Sequence, residues 1–274
     1  MPNWSGKAYY LDSKDVDNAF LTICTSGFVS GRPEYAGRLM LETELSMSDS
    51  TEINAYASRF SDDEIKAQIP ENQEAAKNFI PKRFEITVTE GMLQWMSAMA
   101  VVAATLDRTK SSRKARNMLK WMYKASTYGH VGSDFMLRLW DKFNLATDSV
   151  MVEICGMYAK TMLTAIIAHE CGHICLGHCP YAGQDVNYSL DRNDERQADT
   201  FMSSVMQSTC AGAQGAIGAI MAFIGLRWAS NDRKDKESYY THPASHERLN
   251  MLFNDFAAPL TVSHITRNQL RDLL

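Results

Sequence analysis

The chain has 274 residues, enough for one large domain or two modest ones around a buried core. Its 45% hydrophobic and 22% charged residues fit an ordinary globular protein, and a net charge of −4 excludes a global electrostatic case for nucleic acid or an anionic membrane. Six cysteines do not make a small disulfide framework here. Cys171, Cys175 and Cys179 recur every four residues as one helical stripe, so reduced thiols in a cytoplasmic protein are expected.

The N-terminal segment lacks the apolar core of a signal peptide. No uninterrupted apolar run reaches the ~20 residues that span a bilayer, so no transmembrane segment is expected; Gly215 to Leu226 comes nearest and suits a buried, closely packed helix. Residues 1–80 are polar and mixed, with turn signals at Ser26-Gly27, Gly31-Arg32-Pro33 and Ile69-Pro70. Helices are expected over Glu34 to Leu45, Asp62 to Ile69 and, between two prolines, Glu71 to Phe79. Pro70 and Pro81 mark the junction between this N-terminal region and a second one, residues 81–274.

From Arg83 the pattern changes. Phe84, Ile86 and Val88 alternate with Glu85, Thr87 and Thr89, the period of a half-buried strand. Thr89 or Glu90 opens an apolar helix through Leu106. Between Asp107 and Lys124 seven Lys/Arg stand against one Asp, a local +6 that leaves −10 for the rest of the chain. Ala115, Met118, Leu119 and Met122 would share the opposite helical face, making the basic face either solvated or a dock for an acidic partner. Tyr128 to Asp134 reads as a loop with His130 as a turn residue, and a helix is expected over Phe135 to Phe143. Thr147 or Asp148 can cap the next, long helix, which should stop by Cys179 because Pro180 disfavours helical geometry in the residue before it.

That long helix carries Ala168-His-Glu-Cys-Gly-His173. On a helix His169 and His173 project from one face about one turn apart, as two imidazoles gripping one zinc ion require, with Glu170 placed to take a proton from a water on the metal. On the helical wheel the three cysteines and His178 fall on the far side. Leu176 and Cys179 stand where the long metzincin pattern has glycine and histidine, which disfavours that subclass. A catalytic zinc needs a third protein ligand. Glu195, one loop downstream, is the best candidate, with Asp199 on the same face holding the second nitrogen of a ligand histidine; Asp199, Asp191 or Asp194 as the ligand stays open. Further on, Pro243 suits a first helical position, leaving His242 at the cap to donate to a developing oxyanion and Arg248 to steady the loop or the substrate.

Taken together, Ile86-Thr-Val-Thr-Glu-Gly-Met-Leu93, Ala168-His-Glu-Cys-Gly-His173, Glu195-Arg-Gln-Ala-Asp199 and Thr241-His-Pro243 with Arg248 resemble the HtpX/CAAX-prenyl-protease type of gluzincin metallopeptidase. The resemblance covers roughly residues 84–93 and 160–252. It implies a mainly α (α+β) zincin-like fold with a small sheet, zinc held by His169, His173 and Glu195, Glu170 as general base, Asp199 behind the ligands, and His242 with Arg248 near the substrate. The spacing between Gly91 and His169 exceeds the family's, so residues near 100–155 are expected as an inserted helical subdomain. The family's membrane helices are missing. Soluble zincins of the repressor-cleaving and phage-exclusion types share the zinc helix and stay open. The expected activity is peptide-bond hydrolysis in a protein substrate, taken up as an added strand along an edge strand near Phe84 to Val88. The alternative is a non-catalytic interaction protein with a structural or vestigial metal site and a basic docking insertion, for which a fourth protein ligand such as His242 or His246 would speak.

Overall fold

The structure is a computed structural model and describes residues 10–126, 130–145, 148–179, 192–209, 213–229 and 245–274. Three helices open it, α1 (Ser13–Cys24), α2 (Gly27–Ser30) and α3 (Pro33–Glu42). Strands β1 (Thr43–Ser48) and β2 (Ala55–Arg59), short helices α4 (Asp62–Ala67) and α5 (Gln73–Ala76), and strand β3 (Phe84–Thr89) follow. Then come α6 (Glu90–Thr109), α7 (Ser112–Ala125), α8 (Phe135–Lys142), α9 (Ser149–Leu176), α10 (Arg192–Thr209) and α11 (Ala213–Ala229). The chain closes with α12 (Ser245–Asp255), α13 (Ala257–Thr261) and α14 (Arg267–Arg271). The architecture is mainly helical with one small mixed sheet, as expected.

α9 is the hub. It packs against α1, α3, α6, α10, α11, β2 and β3. Its apolar residues lie on all sides, which is the signature of a helix with neighbours all round. α6 is the same kind of helix, buried without interruption from Gly91 to Leu106. Its Thr89 cap accepts from the Met92 amide, and Asp148 caps α9 through the Met151 amide, both at positions where the sequence offers a cap. α9 ends at Leu176, four residues before Pro180. Gly177 takes the left-handed conformation (φ 81°) and the His178 amide donates back to the His173 carbonyl, closing the helix.

α9 is also, among the described residues, the one helix long and apolar enough to cross a membrane, with an 18-residue window of mean hydropathy 1.5. By average hydropathy α9 therefore comes nearer than Gly215 to Leu226, the longer uninterrupted apolar run: polar residues break up α9, but its 18-residue mean stays high. Most of that window, 61%, is buried inside the protein.

The sheet differs from expectation in a way that matters. Its order is β1-β3-β2, with β1 parallel and β2 antiparallel to β3. β3 is therefore central and not an edge strand, and both its sides are already paired. The helix expected to reach Leu45 stops at Glu42, because Thr43 and its successors take up the pairing with Phe84 to Thr89. The helix expected over Glu71 to Phe79 is confined to Gln73–Ala76. The sheet thus draws strands from both sides of the junction near residue 80.

Candidate metal centre

The site lies where the last turns of α9 meet the first turns of α10. Gly172 makes the approach close: a Cβ there would lie 3.0 Å from the Ala198 Cα and 3.2 Å from its carbonyl oxygen. Two small residues, one per helix, let the backbones meet and bring Glu195 under the two histidines.

The donors converge. His169 Nε2 and His173 Nε2 are 3.2 Å apart. The Glu195 carboxylate lies 3.3 Å from His169 Nε2 and 3.6 Å from His173 Nε2. Ligand atoms of these three residues all fall within 4.8 Å of one another, and all three residues are buried. Two imidazole nitrogens and one carboxylate oxygen aimed at a common point are a donor set suited to a divalent metal of intermediate softness. This buried cluster could hold a metal ion.

Behind the donors stands an ordered polar layer. His169 Nδ1 donates to Asp199 Oδ1 at 2.9 Å, which leaves Nε2 as the nitrogen facing Glu195. Asp199 is held in turn by Arg248, whose Nε and NH2 donate to its two oxygens at 2.8 and 2.6 Å. The guanidinium lies 4.5 Å from the centre of the Phe223 ring on α11, and its NH2 is 3.7 Å from Glu195. Arg248 is thus engaged inside the protein, behind His169.

These contacts set the charges. Burial works against a charged His169, but the Asp199 and Glu195 carboxylates prevail and raise it to about 9. For Asp199 burial is outweighed by Arg248 and His169, which hold its carboxyl below the usual range. Burial pushes Glu170 up to about 7, and a backbone N–H of β2, that of Ala57, faces its carboxyl and works against that rise.

The structure brings His169, His173, Glu195, Asp199 and Arg248 together, with Glu170 alongside. His242 and Asp191 lie outside the described residues. His246 is exposed. Cys171 and Cys175 sit in the core. His178 departs from the helical wheel: past Gly177 it no longer follows helical geometry, and its ring centre comes to 5.5 Å from that of His173, with Nε2 3.6 Å from Asp194. Two further contributors were not foreseen. Ala57 acts through its backbone, for which a side-chain pattern has no signal. Arg38 on α3 donates to the Ile174 and Cys175 carbonyls at 3.3 and 2.8 Å, so a cation from the N-terminal region caps the helix that carries the motif.

Residues 147–266 match the family model described as Peptidase U49. The matched span takes in α9 to α13 and with them the whole donor cluster. The match is to a peptidase family, though not specifically to the HtpX/CAAX-prenyl-protease type, and it supports a proteolytic function acting on protein. No curated protein and no solved structure matches the chain.

Proposed function

We infer that the protein is a zinc-dependent endopeptidase, with His169, His173 and Glu195 as metal ligands and Glu170 as general base. The convergence of two imidazole nitrogens and a buried carboxylate within 4.8 Å carries the reading. Among the described residues the cluster offers three protein donors, the number that leaves a catalytic zinc an open position, whereas a structural zinc is closed by four. Zinc bound there would supply Lewis-acid chemistry, making a water more acidic and polarising a scissile carbonyl.

The chain's own residues do the rest. Glu170, one helical step from His169, takes the proton from the attacking water and hands it to the leaving amine. A carboxyl lifted to about 7 suits both halves of that transfer. Asp199 keeps His169 in the tautomer that presents Nε2, and Arg248 acts through Asp199 as a positioning residue. Substrate is taken up along β2, the edge strand beside α9. Phe60 donates to Arg83 and Thr89 to Asn54, so even-numbered positions of β2 face β3. Ala55 and Arg59 therefore turn their backbone groups outward, where an extended peptide can add as the next strand, while the Ala57 N–H between them points to Glu170. Free cysteines at five described positions suit a reducing, cytoplasmic compartment.

The test is metal content and cleavage of a protein or peptide library by the wild type and Glu170→Gln. The expected result is one zinc per chain in both and cleavage lost by at least ~100-fold in the variant. Equal cleavage by both would sink the assignment.

A further inference from the structure

α7 carries a second surface feature, on its outer face. Its exposed positions are Arg113, Arg116, Asn117, Lys120 and Lys124, while Ala115, Met118, Leu119 and Met122 are buried against the protein. At about 100° per residue the four exposed cations fall in one stripe about 80° wide, and at about 1.5 Å rise they run for about 17 Å along the helix. No acidic residue lies on α7. The cations just before it are neutralised, Arg108 by Asp148 at 2.7 Å and Lys110 by Asp107 at 2.8 Å. Among the described residues none of the four forms an ion pair.

We propose that this stripe docks an acidic segment of a protein partner, with carboxylates spaced three to four residues apart along a helix. The stripe's shape and setting select that occupant. It is one line of charge and not a broad field, so it matches a single helix edge. None of the exposed positions of α7 is aromatic, and Trp121 and Tyr123 are half-buried, so no open ring offers a base a stacking platform within the stripe. With −8 on the chain beyond these four cations, a long polyanion or an anionic bilayer would meet repulsion beyond the stripe, whereas a short acidic segment would not. Four unpaired cations on one edge also repel one another, a cost that a complementary segment relieves. This inference stands apart from the metal reading.

The experiment measures binding of a fluorescein-labelled helical peptide of about 14 residues with glutamates along one edge. Duplex DNA and phosphatidylserine vesicles serve as competing probes. Full-length protein is compared with the quadruple variant Arg113→Glu, Arg116→Glu, Lys120→Glu, Lys124→Glu. A milder variant with glutamine at the same four positions covers the case in which charge reversal disturbs folding. The expected result is peptide binding that falls at least ~tenfold in both variants and weakens with added salt, with metal content unchanged. Binding of DNA or vesicles in preference to the peptide, no peptide binding, or binding indifferent to the four substitutions would each overturn it.

Discussion

Asp199 decides more about the centre than its distance from the donors suggests. Its Oδ1 accepts from His169 Nδ1 and from Arg248 NH2, so one oxygen joins the histidine to the arginine. Replacing the carboxylate by an amide keeps the volume, but the amide has one accepting oxygen for three donors and its NH2 faces a guanidinium or an imidazole N–H. Asp199→Asn should therefore weaken zinc binding by about 10- to 100-fold while the protein stays folded. Titration against a competing chelator, with circular dichroism as the control for folding, measures both. Zinc affinity at the wild-type level would show that His169 is oriented by packing alone. Residues of this kind were legible in sequence because chemistry restricts them to few types at fixed spacing: His169, Glu170, His173, Glu195 and Asp199 all follow from three- and four-residue intervals on two helices. Arg248 was legible as a nearby cation, but its direction was not, since that depends on where α12 lies against α9 and α10.

At the scale of elements, the contact between α9 and α10 sets the geometry, and Gly172 is its tightest point. Alanine there would gain about 1 kcal/mol of helix propensity. Its Cβ would also meet the Ala198 Cα at 3.0 Å and the Phe201 Cβ at 3.2 Å, and overpacking of that kind costs about 1–3 kcal/mol. The two effects partly offset in stability, but the crowding has to move α10 away from α9, and Glu195 moves with it. Gly172→Ala should accordingly change the melting temperature by only a few degrees, up to about 2 kcal/mol in stability. Zinc affinity and cleavage should drop by about tenfold or more. A variant that keeps both would mean that the helices yield elsewhere. The helices themselves were readable, since α6, α7, α8 and α9 each show a cap, an apolar pattern or a stop. What the sequence conceals is their closeness, because glycine and alanine carry no sign of the neighbour they admit.

The molecule as a whole hides most where the sheet is concerned. β3 announces itself by alternation, yet nothing in Thr43 to Ser48 or Ala55 to Arg59 signals that they flank it, because strand partners are chosen by tertiary packing and not by local preference. The consequence is that residues before the junction near 80 help build the site: β2 presents Ala57 to Glu170, and Arg38 caps α9. They also fill the core, since Val16, Ile23, Val29 and Leu39 are all at most 1% exposed. At about 1.5 kcal/mol each as a low figure, these four alone stabilise the fold by about 6 kcal/mol, against a net stability of about 5–15 kcal/mol for a typical domain. Removing residues 1–60 would take that contribution away and leave β3 without either neighbour, and a lone strand does not persist. The fragment 61–274 should then show no cooperative thermal transition, expose apolar surface to dye and retain no zinc after dialysis, whereas the full chain should do the reverse. A fragment that melts cooperatively and keeps its metal would make the second region an independent folding unit, with the N-terminal region as a cover laid over a site already formed.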